Sequence, residues 1–307
     1  MFLFKKKTRG NRLCGLVTAG EQLAIVRIKK GDKRPVLESC HLFGPAPGQD
    51  QATLLKKAAA EIQLDKTPCS TLLGIGDYQL LMVEAPEVPP AELKAAIRWR
   101  IRDLIDFHID DAVLDVFDVP PSGARGVQEH LYVVVSRSAQ VKELADTLQA
   151  GGIDLEVIDI PELALRNLAA RLEQDTNGQA MLYFGAEQGL ITLTRNATLY
   201  LARSLDIGYQ QLQAEPALVD RLALELQRSI DYYDRHFQQA PINQVTLCPM
   251  PAAAPELAER LAQQTGLSVH NLQLDDLVEV TAPVDDAQFA HCLLAIGAAL
   301  RSEPAQL

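Results

Sequence analysis

The sequence lacks long apolar runs and paired cysteines, and these shortages exclude several classes of protein. No apolar stretch among the 307 residues approaches the about 20 residues that a helix needs to cross a bilayer. The N-terminal segment MFLFKKKTRGNR has too short an apolar part for a signal peptide. The five cysteines form no Cys-x-x-Cys pair, which argues against a disulfide framework or a zinc site. We therefore expect a reduced, cytoplasmic protein.

Positive charge is also scarce. The chain carries 29 lysine and arginine residues against 40 aspartate and glutamate residues, for a formal net charge of −11. A nucleic-acid binder neutralises phosphates with basic side chains, so this class is disfavoured. The N-terminus is an exception because it holds a basic group with no acidic residue: Lys5, Lys6, Lys7, Arg9 and Arg12. This segment is either a solvated terminus or a weak contact to an anionic membrane surface.

What the sequence does contain is a repeated order of elements, in a chain long enough for two domains. Alternating apolar residues and glycine-containing turns predict two three-stranded meanders, with strands at 13–18, 22–29 and 34–42 and again at 180–185, 188–195 and 197–204. Helix, strand and helix follow each meander. This two-fold plan favours a bilobed α/β fold with a cleft between the lobes.

Two amphipathic helices stand out between and after the meanders. Pro89 and Pro90 suit a helix start, because a proline there sacrifices no intrahelical hydrogen bond. One apolar stripe follows at helical spacing: Leu93, Ile97, Ile101 and Leu104/Ile105. The second helix is predicted over 217–238, with these residues on one face: Leu218, Leu222, Leu226, Ile230, Tyr233 and Phe237.

The glycine turns of the two meanders lie where a bilobed fold of this kind holds nucleotide phosphates. The first turn, GLVTAGEQLA, has no aspartate, serine or lysine at a useful position, and the second, LYFGAEQGLI, offers only Glu187. Backbone N–H groups could still donate to an anion. Triphosphate hydrolysis, however, depends on carboxylates that hold a metal ion. No Ser-His-Asp arrangement or G-x-S-x-G motif is present either, so we expect a protein that is not an enzyme.

Trp99 is the single tryptophan, and it lies among Arg98, Arg100 and Arg102. One interpretation is a partly buried helix residue beside a solvated basic face. The other is an anchor for a protein partner, because tryptophan and arginine dominate the energetics of interfaces. The sequence leaves both open.

Three segments carry a family resemblance: PPAELKAAIRWRIRDLIDFHIDDAVLDVFDV, LADTLQAGGIDLEVIDIPELALRNLA and ELQRSIDYYDRHF. In order and spacing the chain resembles the PilM family, actin-like components of type IV pilus and type II secretion platforms at the inner membrane. The resemblance implies a bilobed actin-like (ribonuclease H-like) α/β fold with a small inserted α+β subdomain. It divides the chain into a first lobe (1–84 plus 153–176), an inserted subdomain (85–152), a second lobe (177–285) and a C-terminal helix returning to the first lobe (286–307).

The same resemblance shows which nucleotide-binding residues are missing. In the first phosphate turn Val17 replaces the family's aspartate, Ala19 its glycine and Ala24 its lysine. In the second turn Gly185 and Glu187 match, but other positions depart from the pattern: Tyr183, Gln188, Gly189 and Leu190. At the adenosine side a glycine-rich stretch is replaced by Cys248-Pro249-Met250-Pro251. Since proline lacks an N–H and glycine's backbone freedom, we expect a degenerate site and no cofactor.

The resemblance also implies a partner. A PilM-like scaffold would bind the N-terminal cytoplasmic peptide of a PilN-like single-pass membrane protein, alongside other platform proteins, in a groove between the first lobe and the insert. The expected contacts are Leu81, Val83, Arg98, Trp99 and Arg102. Two alternatives remain open: an ATP-binding protein that regulates assembly by closing its lobes, and a filament-forming protein.

Overall fold

Three β-sheets and the helices that cover them organise the chain. The computed structural model describes residues 2–3, 12–19, 22–31, 34–46, 48, 50–64, 67–122, 128–252, 254 and 256–302. In chain order the strands are β1 (Phe2–Leu3), β2 (Arg12–Ala19), β3 (Gln22–Lys29), β4 (Val36–Phe43), β5 (Cys69–Leu72), β6 (Tyr78–Glu84), β7 (Ala112–Asp118), β8 (His130–Arg137), β9 (Leu155–Asp159), β10 (Gln179–Phe184), β11 (Gly189–Arg195), β12 (Thr198–Leu205), β13 (Gln244–Leu247), β14 (Ser268–Asn271) and β15 (Glu279–Val280). The helices are α1 (Gln51–Glu61), α2 (Leu93–Ile101), α3 (Ser138–Ala150), α4 (Pro161–Ala169), α5 (Tyr209–Ala214), α6 (Leu218–Phe237), α7 (Leu257–Thr265), α8 (Leu274–Leu277) and α9 (Asp286–Ala299).

The first lobe is built on a seven-stranded sheet of order β1-β9-β5-β2-β3-β4-β15. Successive side chains of a strand point to opposite faces, and β2 and β3 use both. Leu16 and Ile25 pack on one face with residues of α1 and α3. Val17 and Val26 pack on the other face with residues of α4 and α9. The sheet is therefore buried on both sides along its central strands.

The N-terminal segment contributes one edge of this sheet. Phe2 and Leu3 pair antiparallel with β9. Arg12, at the start of β2, forms an ion pair of 3.0 Å with Glu38. The remaining basic residues considered for a membrane contact, which lie at 5–9, are outside the described residues.

The second lobe contains a five-stranded sheet of order β12-β11-β10-β13-β14. The helix predicted over 217–238 is α6, and its apolar stripe is buried against this sheet at Leu222, Leu226 and Tyr233. The opposite face of the sheet turns Met181 and Leu190 towards α4 and α9. The second meander is thus present as β10, β11 and β12, paired antiparallel in sequence order.

The insert is a three-stranded sheet, β6-β8-β7, covered by α2. The predicted boundary at 85 left β6 in the first lobe, whereas this strand pairs with β8 of the small sheet. Conversely, α3 packs Val141 and Leu148 against Leu55 in the first lobe. We therefore propose that the insert spans 78–137 and not 85–152.

Helices α4 and α9 lie between the two large sheets. All nine residues of α4 are buried, which is possible because residues from both lobes and from α9 surround it. Helix α9 packs on β2 and β3 so closely that a Cβ at Gly15 would lie 1.8 Å from the carbonyl oxygen of Ala295. Within the described ranges, no helix combines the length and apolar character needed to cross a membrane.

Candidate functional site

The cleft between the lobes is the first candidate site, because residues of both meanders meet there, while the first glycine turn itself, at 20–21, lies outside the described residues. Val17 on β2 and Ala24 on β3 are direct neighbours across the strand pair, and both are buried. They belong to one apolar cluster with Met181 and Leu190 of the second lobe. Ala19 ends β2, where its backbone pairs with Gln22. Apolar side chains thus occupy two of the positions at which a phosphate-binding turn needs polar ones.

Tyr183 and Cys248 extend this apolar contact from the second lobe. Tyr183, on β10, packs against the cluster that contains Val17 and Cys248. Burial raises the pKa of the Tyr183 hydroxyl, and Cys248 adds to the effect. Burial likewise raises the pKa of the Cys248 thiol. Both groups stay neutral at physiological pH, so neither replaces the negative charge that a magnesium ion needs. Pro249 follows directly and is half-buried.

The second glycine turn is engaged within the protein. Gly185 donates its N–H to the carbonyl of Gln188 at 2.8 Å, which closes the hairpin. The N-terminus of α5 then bonds to the turn: the N–H of Tyr209 donates to the Gly185 carbonyl at 2.9 Å, and that of Gln210 to the Ala186 carbonyl at 3.2 Å. Amides at a helix start are the usual donors to a phosphate. In this turn they already have partners.

Three side chains of the second turn face solvent: Ala186, Glu187 and Gln188 are exposed, while Gly189 begins β11 and is buried. The close approach of α5 to this turn explains why position 208 is a glycine, which the sequence analysis did not identify. A Cβ at Gly208 would lie 2.3 Å from the Ala186 carbonyl oxygen. Among the described residues, no group of three or more histidine, cysteine or acidic side chains is placed to hold a metal ion.

The residues predicted to contact a partner do not share one surface. Val83 is buried, and Leu81 packs with it against Ile97 and Ile101 beneath α2. They face the core of the insert because that side of the small sheet carries the helix. These two residues therefore lie on the opposite side of β6 from Leu80, which packs towards the two lobes.

The other three predicted contacts, Arg98 and Trp99 on α2 and Arg102 directly after it, also differ in whether they are available to a partner. The guanidinium of Arg98 donates to the carbonyls of Ile109 and Ala112 at 2.9 Å each, so it holds α2 against the start of β7. Trp99 is 72% exposed. The Arg102 guanidinium lies 5.6 Å from the centre of its ring. Partner contact through Trp99 and Arg102 stays a prediction, and the interpretation of Trp99 as partly buried is wrong.

A cavity that the sequence did not reveal lies between β6 and β12, which are outer strands of the small sheet and of the second-lobe sheet. Its volume is about 300 Å³, and its lining is Ile75, Gly76, Tyr78, Gln79, Leu80, Glu162, Ala202 and Ser204. We call this region the edge groove. A strand edge offers unpaired backbone groups to an extended peptide, so a groove with an edge on each side suits such a ligand.

Glu162 forms the floor of the edge groove. It follows Pro161 at the start of α4 and is 2% exposed. The Tyr78 hydroxyl donates to its Oε2 at 2.5 Å. Burial raises the pKa of Glu162 to about 7. The negative charge of Asp159 also raises this pKa, whereas the hydrogen bond from Tyr78 lowers it. The carboxyl is therefore about half ionised near neutral pH. In the sequence, only the Pro-Glu pair after a buried strand points to Glu162, and this pair is typical of any helix start.

Comparison with solved structures identifies the fold. The chain superimposes on a structure titled as the PilM-PilN type IV pilus biogenesis complex with a TM-score of 0.76 and 21% identity, covering 95% of this chain and 98% of the other. The cytoplasmic domain of EpsL, an inner-membrane component of the type II secretion system of Vibrio cholerae, matches with a TM-score of 0.52 and 13% identity over 95% and 96% of the two chains.

A third structure, from Bacteroides thetaiotaomicron, has an actin-like ATPase fold and unknown function. It matches with a TM-score of 0.50 and 7% identity over 93% and 95% of the chains. No family model and no curated protein matches this sequence. The chain therefore has the actin-like fold, and the predicted resemblance to PilM is confirmed at the level of the fold.

Proposed function

We propose that this chain is a non-catalytic, cytoplasmic scaffold of a type IV pilus assembly platform, peripheral to the inner membrane. Its ligand would be the N-terminal cytoplasmic peptide of a PilN-like membrane protein. The observation that carries this proposal is the edge groove, a cavity flanked by two outer strands in a fold similar to that of PilM. At a finer level, the length and the degenerate turns resemble MshI of mannose-sensitive haemagglutinin pili, and we propose that kind of pilus.

The edge groove suits an extended peptide for physical reasons. A peptide strand can bond to the outer edge of β6 or of β12 through its main chain, which gives affinity without a particular sequence. Its alternate side chains would then point into the groove towards Leu80 and Ala202, which supply apolar contact. No step of this binding needs a nucleotide.

The lobe interface supports the non-catalytic part of the proposal. Val17, Tyr183 and Cys248 meet in one apolar cluster, and the amides at the start of α5 are bonded to the second turn. Triphosphate chemistry relies on preorganised charge around the transferring phosphoryl group. Side chains that stay neutral and amides that are already bonded supply none of it.

Peptide binding tests the proposal directly. The probe is a fluorescently labelled synthetic peptide of the cytoplasmic N-terminus of the PilN-like protein encoded in the same genome, with a scrambled peptide as control. We expect saturable binding that Ser204→Trp abolishes, because an indole on the β12 edge would fill the groove. The matched control is Thr198→Trp, at the far end of the same exposed strand edge. Binding unaffected by Ser204→Trp would place the peptide elsewhere.

Calorimetry with Mg-ATP separates the proposal from its alternative. We expect no saturable heat of binding, since the described residues place no cluster of metal-binding side chains in the cleft to hold Mg-ATP. Micromolar binding of Mg-ATP would refute the scaffold-only function and favour the ATP-binding alternative, in which lobe closure regulates assembly.

A further inference from the structure

Glu162 is an unusual floor for a groove between strand edges. The other side chains that line the edge groove are apolar or neutral: Ile75, Gly76, Tyr78, Gln79, Leu80, Ala202 and Ser204. A carboxyl that is 2% exposed normally has a cation beside it, because an isolated buried charge is costly. Here the described bonds to the carboxyl come from the Tyr78 hydroxyl and from the backbone amide of Glu162 itself.

Charged groups on neighbouring elements have hydrogen-bond partners other than the Glu162 carboxyl. Asp159, at the end of β9, accepts from the Arg301 guanidinium at 3.1 Å, and both side chains are 2% exposed. Arg166, one turn further along α4, donates to Asn167 at 2.9 Å. Asp77, in the turn before β6, accepts from the Gly74 amide. No cation is bonded to Glu162 among the described residues, so its carboxylate can take one from a ligand in the groove that it lines.

We propose that Glu162 binds a lysine or arginine side chain of the segment that occupies the edge groove. This inference rests on the proposed function and adds to it the residue that selects the partner. The positive side chain would enter from the groove, which Glu162 lines, and would form a charge-assisted bond with the carboxylate. The Tyr78 hydroxyl keeps the carboxylate in position.

The size and geometry of the groove fit a single side chain. A volume of about 300 Å³ lies at the lower end of the about 300–1,000 Å³ found for small-molecule sites. Along an extended peptide, every second side chain faces the floor, so one basic residue at a fixed register would meet Glu162. The ion pair would be shielded from water, and buried pairs of this kind contribute to specificity and to slow dissociation.

A double-mutant cycle between protein and peptide tests the inference. The protein variants are Glu162→Gln, which keeps the shape and the bond from Tyr78, and Glu143→Gln, an exposed glutamate on α3 that serves as control. The peptides are the synthetic N-terminal peptide described above and versions in which each lysine is replaced by norleucine and each arginine by citrulline, one at a time. Thermal unfolding of each variant verifies that it is folded.

We expect Glu162→Gln to weaken binding of the natural peptide about tenfold or more, as removing one partner of a buried charge pair does. With one particular neutralised peptide, the same substitution should have no further effect. An unchanged affinity of Glu162→Gln would overturn the inference, as would an equal loss for every peptide, since that would reflect a change of shape and not of charge. Failure of the unaltered protein to bind the natural peptide would instead refute the proposed function itself.

Discussion

The buried carboxyl of Glu162 should make the stability of the protein depend on pH. In the unfolded chain a glutamate ionises near pH 4.5, whereas burial in the folded chain raises the pKa of Glu162 to about 7. Between these values the folded state binds more protons than the unfolded state. Its free energy of unfolding therefore falls as the pH rises through this window.

The magnitude follows from the width of the window. An interval of about 2.5 pH units, at about 1.4 kcal/mol per unit, amounts to about 3 kcal/mol. This contribution is fully present below about pH 4.5 and lost above about pH 7. Glu162→Gln cannot ionise and keeps an acceptor for the Tyr78 hydroxyl. We therefore expect this variant to match the unaltered protein at about pH 4 and to exceed it by up to about 3 kcal/mol at about pH 8.

Denaturant unfolding at the two pH values, followed by circular dichroism, measures this difference. Glu143→Gln is the matched control, because it makes the same change at an exposed position on α3. A Glu162→Gln variant with the same pH dependence as the unaltered protein would refute the reasoning. So would a variant that is less stable at the higher pH, since the carboxylate would then be favourable in the folded state.

Three further substitutions probe the rest of the structure. Arg301→Met should cost about 3–5 kcal/mol in chemical denaturation, because it leaves the buried Asp159 carboxylate unpaired; a cost below 1 kcal/mol on the scale of surface changes would contradict a buried pair. Gly15→Ala should lower the melting temperature strongly, since its Cβ would overlap the Ala295 carbonyl and push α9 off the sheet; an unchanged melting temperature would show that α9 can shift freely. Trp99→Ala should change stability by less than about 0.5 kcal/mol because the side chain is exposed, and a larger loss in thermal unfolding would indicate hidden packing.

Long amphipathic patterns were predicted well from the sequence. Helix α6 spans Leu218–Phe237, against a predicted 217–238, because six apolar residues at helical spacing leave few alternatives. The apolar stripe after Pro90 was predicted in part: Ile105 packs against the cluster of Ile97 and Ile101, but the helix ends before it. Helix α2 ends at Ile101, where the Leu104 amide bonds to the Ile101 carbonyl in a tighter turn, and Leu104 is 57% exposed. A local pattern does not encode where tertiary contacts end a helix.

The lobe interface and the edge groove also differ in how far the sequence alone can predict them. The expected loss of charge at Val17 and Tyr183 rests on residue type at two turns that the family resemblance assigns, and it stays a prediction. The edge groove depends on the meeting of Tyr78, Glu162 and Ser204, which lie far apart in the chain. Their proximity follows from how the insert, α4 and the second lobe pack, and no spacing in the sequence expresses it.

The stability and binding expectations for Glu162 are linked. A carboxylate in the edge groove lowers the stability of the free protein above about pH 7, because its charge lies away from water and the part of the chain that the structure describes bonds no cation to it. A basic side chain of the partner would remove that cost, and the same free energy would then appear as binding affinity and selectivity. If the inference holds, saturating peptide should flatten the fall in stability with pH, whereas the peptide with its basic residue neutralised should leave the slope in place. Glu162 would then lower the stability of the free protein, and partner binding would restore that stability. This behaviour is expected of a residue in a binding site and not of a residue in the core.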